Sequence, residues 1–236
     1  VLPQTFELAY TTNDGEPLDP YTTEGFGANF IENIYNAETG EGSLKFDGKI
    51  VSIPEKAFVS CTNLTKINLT FGITAINDEA FSNCYNLTVM DIPEGVISIG
   101  NKAFFNCNGV TDITIPSSIT SIGTSSFEGC GGNAYINCTI PGISSSLGTE
   151  GKFYNAQFTS AILNDGVTSI GKYAFNSCDS LKKVYCKPTT PPAGDSYMFD
   201  NNASDRTIYV PRDSVDAYKS ASYWSNYSSY IVGYDF

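Results

Sequence analysis

A phenylalanine is followed three residues later by a cysteine at Phe58/Cys61, Phe81/Cys84, Phe104/Cys107, Phe127/Cys130 and Phe175/Cys178, at three intervals of 23 residues and one of 48. Self-similarity at that period confines the chain to a stacked array. One unit cannot bury its apolar face alone, so neighbours must share a continuous core. An array grows along one axis, and its 236 residues therefore count as a single solenoid domain.

Other positions repeat with the ring. Ile53, Ile76, Ile99, Ile122 and Ile170 precede it by five residues, and a small residue stands just before it at Ala57, Ala80, Ala103, Ser126 and Ala174. After the cysteine, apolar residues come in sets: Leu64, Ile67 and Leu69; Leu87, Met90 and Ile92; Val110, Ile113 and Ile115. The closing pair of each set is spaced by two, the period of a strand with one buried face. Turn residues follow at Phe71-Gly72, Glu94-Gly95, Ser117-Ser118 and Asp165-Gly166, often after a proline at Pro93, Pro116 or Pro141. Each unit reads as strand, turn, a second short strand ending near the isoleucine, then a brief helical or 3-10 turn carrying Ala-Phe-x-x-Cys.

The long interval conceals a worn copy, Phe153-Tyr154-Asn155-Ala156, with Ala156 in place of cysteine and Phe158, Ala161 and Leu163 at inward positions. Extra residues around Gly131-Gly132 and from Ser144 to Gly148 are expected to bulge outward as loops. This makes about six repeats across residues 49–192, one of them degenerate, with Phe199 marking a seventh, degenerate turn. Exposed ends of a stack need covers. Residues 1–48 read as an amino-terminal cap, from the alternation Phe6, Leu8, Tyr10 and the turn at Asn13-Asp14-Gly15. Residues 193–236 read as a carboxy-terminal cap: a last strand at Ile208-Tyr209-Val210, a short helix from Pro211 to Ala221, and a ring cluster. Tyr218, Tyr223, Trp224, Tyr227, Tyr230 and Tyr234 form that cluster, read as closing the core, with a binding platform as the alternative.

The run Ile113-Thr114-Ile115-Pro116-Ser117-Ser118-Ile119-Thr120-Ser121-Ile122-Gly123, followed by Ser126-Phe127-x-x-Cys130, resembles the BspA-like leucine-rich repeats of bacterial cell-surface proteins. Val167 to Leu181 carries the latter part of the same pattern, and Ile208-Tyr209-Val210-Pro211, Ser214-Val215-x-Ala217-Tyr218 and Trp224 resemble that family's terminal cap. The resemblance implies a right-handed leucine-rich-repeat solenoid of short parallel β-strands with brief helical or 3-10 turns, capped at both ends. It also implies an exported, extracytoplasmic protein at the cell surface, touching membrane only through a lipid on an upstream cysteine. Adhesion to a host matrix protein, to another cell-surface protein or to a glycan is the implied activity. The lost cysteine at Ala156 and the extra residues near Gly131 and Ser145 depart from the family's consensus.

Composition narrows the remaining function classes. A formal charge of -12 opposes phosphate backbones, which excludes nucleic acid as a partner. No histidine is present, which removes the usual general base and the commonest transition-metal ligand. No apolar run approaches the roughly 20 residues of a membrane span. The chain starts at Val1 without a basic-then-apolar leader, and so reads as a form whose targeting signal has been removed.

Seven cysteines in an exported chain raise the question of bridges. Repeated cysteines point the same way along a stack, and Cys138 and Cys186 fall at inward strand positions, so reduced core thiols are expected; a bridge or two is the alternative. Asp200-Asn201-Asn202 with Asp205 is oxygen-rich but lacks the glycine and glutamate of a calcium loop, and reads as a solvated turn. Gly25 and Gly27 lack a phosphate loop's third glycine and read as a cap turn. No motif selects a carboxylate pair among 25 acidic residues, so no catalytic, cofactor or metal residue is assigned.

The outward face of the strand ladder is the candidate ligand surface. Alternation places Lys66, Asn68, Val89, Asp91, Asp112, Thr114, Asn137, Thr139, Ser160, Ile162, Lys183 and Tyr185 there. The reading is a non-catalytic adhesion module using that face or its loops. A structural cell-envelope spacer without a ligand is the first alternative, and a carbohydrate-active enzyme the second.

Overall fold

Alternating apolar residues form strand β1 (Phe6–Thr12), joined by β2 (Phe30–Asn36) and β3 (Glu41–Phe46). The computed structural model describes residues 6–70, 72–140 and 151–236. Short strands then alternate between two faces: β4 (Ser52–Ile53), β5 (Leu64–Ile67), β6 (Ala75–Ile76), β7 (Val89–Met90), β8 (Ser98–Ile99), β9 (Asp112–Ile115) and β10 (Ser121–Ile122). The remainder are β11 (Gly131–Ile136), β12 (Gln157–Leu163), β13 (Lys183–Cys186), β14 (Thr207–Pro211) and β15 (Ile231–Tyr234). Among the described residues, one short α-helix, α1 (Val215–Ser220), lies between β14 and β15.

The result is a β-solenoid of leucine-rich-repeat type. One parallel sheet runs β9-β11-β12-β13-β14-β15, and a bridge between Asp91 and Thr114 joins it to the sheet β2-β3-β1-β5-β7. The two-residue strands form a second parallel ladder, β4-β6-β8-β10, which isolated bridges extend through Ile140, Ile170, Ser169 and Ala193. Turn-to-turn contacts are therefore between equivalent residues, as the period requires.

Phenylalanine forms the axis of the core. Phe58, Phe81, Phe104, Phe127, Phe153, Phe175 and Phe199 stack in sequence with centroids 4.8–5.5 Å apart and planes within 16° of one another. All seven are fully buried. Phe153 takes its place in the worn copy, and Phe199 extends the column by a seventh ring. Parallel stacking could continue indefinitely, and rings at other angles end it. Phe26 meets Phe58 edge-on at 6.1 Å, while Tyr227 and Trp224 meet Phe199 at 83° and 54°.

The turn that carries each ring has an alternating backbone. Lys56, Phe58 and Ser60 donate their amides to Asp78, Ala80 and Ser82 of the next turn, whereas Ala57, Val59 and Cys61 donate within their own. Left-handed φ values of 58° at Lys56 and Ser60 produce that alternation. The expected helical or 3-10 turn exists only as successive i to i+3 hydrogen bonds, since left-handed residues stop a helix from propagating. Among the described residues, helix is confined to α1 and to 3-10 segments at Arg212–Ser214 and Trp224–Tyr230.

Cysteine follows the ring for a hydrogen-bonding reason as well as for size. Sγ of Cys84, Cys107, Cys130 and Cys178 lies 2.9–3.2 Å from the carbonyl oxygen of Phe58, Phe81, Phe104 and Phe153 respectively. A small side chain thus fills the core and donates to the preceding turn. All seven cysteines are free and buried.

Two expectations about the extra residues meet different outcomes. Ser144 to Gly148, and the turn proline Pro141, lie outside the described residues. Gly131 and Gly132 do not loop out; they open β11. Gly132 has φ +77° and packs against the Thr111 carbonyl, where any Cβ would collide, so glycine lets the strand start early. The surplus residue is absorbed opposite, as a bulge that skips Thr159 between Gly132–Phe158 and Asn133–Ser160.

Candidate functional site: the strand face

Parallel register arranges the outward residues of the long sheet in two rows. Lys66, Val89, Asp112, Asn133, Ser160, Lys183 and Thr207 form the first. Asn68, Asp91, Thr114, Tyr135, Ile162, Tyr185, Tyr209 and Val232 form the second. Lys66, Asn68, Val89, Asp91, Asp112, Thr114 and Lys183 are exposed, and Ile162 and Tyr185 are half-buried.

Asn137 and Thr139 are not in these rows. With β11 starting at Gly131, its outward pair is Asn133 and Tyr135, four residues earlier. Asn137 instead accepts a hydrogen bond from Asn164 Nδ2, and the Thr139 hydroxyl pairs with that of Thr168, both past the strand's end. Cys138 is buried but lies beyond β11 for the same reason, while Cys186 is an inward strand residue opposite Leu163. Ser160 is on the row but buried, its hydroxyl 2.5 Å from Asn133 Oδ1.

The face changes character along its length. Toward the amino terminus it is short and polar; toward the carboxy terminus it is aromatic. Tyr185 and Tyr209 stack at 4.7 Å, and Tyr234 meets both edge-on at 5.7 and 5.3 Å. Phe236 packs edge-on against Tyr234 at 5.1 Å and is 52% exposed. Beside this cluster lies a depression of about 460 Å³ whose walls include Asn133, Tyr135, Ser160, Ile162, Lys183 and Tyr185. Rings there offer apolar area at low conformational cost, and amide, hydroxyl and ammonium groups surround them.

The ring cluster of the cap divides in two. Tyr218, Trp224 and Tyr227 are buried and close the core. Their polar atoms are satisfied: the Tyr218 hydroxyl donates to the Pro188 carbonyl, Trp224 Nε1 to Pro192, and the Tyr227 hydroxyl to Asp200. Burial pushes the Tyr218 and Tyr227 hydroxyls well above the ordinary phenol pKa. Tyr223 and Tyr234 are exposed instead; β15, a strand beyond the expected last one, carries Tyr234 onto the sheet's outer face.

A family model, the BspA type leucine-rich repeat region, matches residues 31–149 and 149–232 in six copies. The chain belongs to that family. Among solved structures, this BspA-type chain is similar to a leucine-rich repeat protein from Bacteroides ovatus, with 22% identity over 68% of this chain and 53% of that one and a TM-score of 0.36. It is similar to a T. pallidum leucine-rich repeat protein, with 21% identity over 68% and 62% and a TM-score of 0.44. A leucine rich cell surface protein from Faecalibacterium prausnitzii shares 25% identity over 68% and 51%, with a TM-score of 0.35. The chain spans 51–62% of the length of these three. No curated protein matches it.

The remaining sites singled out in the BspA-type sequence go to separate structural partners. Asp200 accepts from Tyr227, the Asn202 side-chain oxygen accepts from the Cys178 amide, and Asp205 pairs with Lys182 at 3.1 Å. The Lys182 hydrogen bond holds the Asp205 carboxyl below its usual range. Gly25 and Gly27 both have left-handed φ, at 83° and 88°, in the cap turn against Pro54 and Val51. Burial raises the thiol pKa of Cys138 to about 11 and of Cys61 and Cys186 to about 12, so these groups stay protonated.

Proposed function

We propose that this chain is a non-catalytic recognition module, displayed at the cell surface, that binds a protein or a glycan through the carboxy-terminal end of its strand face. One observation carries the reading: a stacked tyrosine pair, Tyr185 and Tyr209, remains on the outer face of a rigid sheet with Tyr234 and Phe236 against it. The core does not require these rings, since the same strands already bury Val184, Cys186, Ile208 and Val210 on the other side. Membership of the BspA-type family supports display at the cell surface and the absence of catalysis.

Attachment of the purified chain to immobilised matrix proteins and to a glycan panel tests this reading. The double variant Tyr185→Ala/Tyr209→Ala is expected to weaken attachment by about tenfold or more, as loss of a central aromatic anchor does. Lys66→Ala/Asp91→Ala, at the polar end, is expected to leave it unchanged. Attachment that survives loss of the tyrosines would move recognition from this end of the strand face to the loops, and no attachment of the unmutated chain to any protein or glycan would favour a spacer role.

A further inference from the structure

The residue two places before six of the seven column phenylalanines is held in the left-handed region, at Lys56, Glu79, Lys102, Ser125, Tyr173 and Tyr197, with φ of 51–61°. The repeat imposes that backbone; it does not impose tyrosine. A bulky ring is among the less suitable residues for positive φ, where asparagine or glycine costs least. The core gains little from Tyr197, which is 48% exposed. Tyr223, in the following turn, repeats the combination: φ 64° and 42% exposure.

Tyr197 and Tyr223 are two walls of a groove of about 470 Å³ on the turn side of the solenoid, whose lining does not include the tyrosine pair of the strand face. Ser196, Asp200, Asn201, Arg206, Asn226 and Tyr230 complete its lining. The polar groups are already positioned. Asp200 Oδ1 accepts from the buried Tyr227 hydroxyl at 2.6 Å, which orients the carboxylate. The Arg206 guanidinium lies 4.0 Å from the centre of the Tyr230 ring and donates from one terminal nitrogen to the Ala203 carbonyl, which holds its plane. A neighbouring depression of about 390 Å³ shares Tyr197, Asp200 and Asn201 and continues past Tyr173, which stacks on Tyr197 at 5.0 Å.

We infer that this groove is a second binding site, and that its ligand is a neutral carbohydrate. A pyranose ring presents an apolar C–H face to aromatic rings and paired hydroxyls at its rim. Two exposed tyrosines supply the first complement. A carboxylate and a guanidinium held in place, with the two exposed amides beside them, supply the second as acceptors and donors. Asp200 and Arg206 cancel in charge, and the chain carries -12, so an anionic sugar is disfavoured.

Affinity electrophoresis of the whole chain through gels containing laminarin, galactomannan, xylan or desialylated mucin, with alginate as the anionic comparison, tests the assignment. Retardation by at least one neutral polymer is expected, with weakening of about tenfold in Tyr197→Ala and a smaller loss in Asn226→Ala. Both side chains are exposed, so an unchanged melting temperature shows that the fold is intact. Lys66→Ala/Asp91→Ala, at the polar end of the strand face, is expected to leave the retardation unchanged. Retardation by none of the neutral polymers, by alginate alone, or undiminished in Tyr197→Ala overturns the proposal. Retardation abolished by the Tyr185/Tyr209 variant also overturns it, and moves sugar binding to the strand face.

Discussion

Along the solenoid the amino-terminal and carboxy-terminal turns have nearly the same interior and different exteriors. Phe81 and Phe104 stack at 5.4 Å; Phe175 and Phe199 stack at 5.5 Å. On the strand face, however, Asn68 and Asp91 give way to Tyr185 and Tyr209. On the turn side, Lys56, Glu79 and Lys102 give way to Tyr173 and Tyr197. Two independent surface columns thus change from polar to tyrosine toward the same end. Packing cannot be the cause, because the packing is shared. The difference teaches that the repeat constrains only what faces inward, and that recognition is to be sought where the exterior departs from the pattern.

The largest effect should come from the shared interior. Burial raises the pKa of Cys61, Cys84 and Cys107 toward the amino end and of Cys138, Cys178 and Cys186 toward the other. A thiol in the unfolded chain ionises near pH 8.5. Above that pH the unfolded chain has released protons that the folded chain retains, so the contribution to stability is complete below about pH 8.5 and declines as pH rises. The decline reaches up to about 1.4 kcal/mol per pH unit for each thiol until its folded pKa is passed. Near-ultraviolet circular dichroism should show one cooperative loss of structure between about pH 9 and 11. Two separated transitions would break the comparison, because they would mean interiors of unequal protection.

Next in size, Phe104→Ala and Phe175→Ala should each cost about 3–5 kcal/mol in urea denaturation, and by similar amounts. Tyr197→Ala, outside the core, should stay within about 0.5 kcal/mol. A large cost for the exposed tyrosine would show that it is a packing residue after all. A smaller change distinguishes the worn copy from its neighbours. Ala156 lacks the thiol that elsewhere donates to the preceding phenylalanine carbonyl, so Ala156→Cys should stabilise the chain by roughly 0.5–1 kcal/mol. No gain would mean that the cysteines serve by volume alone.

Much of this was legible from letters. The ring column, the isoleucines beside it, the worn copy at Phe153 and the seventh ring at Phe199 all follow from spacing. Each of these residues has as neighbours its own equivalents one turn away. The strand-face rows were legible where intervals are regular and misplaced where they are not: Asn137 and Thr139 stood in for Asn133 and Tyr135. The inward alternation of Ala134 and Ile136 was the available signal, obscured by reading a glycine pair as a loop. For Tyr209 the signal is the alternation Ile208-Tyr209-Val210, which places its ring outward between two buried residues.

Sequence alone therefore determined the axis, the repeat and what is buried, because a one-dimensional stack converts period directly into contact. Only the tertiary structure decided the register of β11, where a bulge and a glycine absorb surplus residues without changing their number. It alone also brought Tyr234 beside Tyr185, and Tyr223 opposite Tyr197 across a groove. Those meetings depend on the path of the closing segment, which has no period from which to read it.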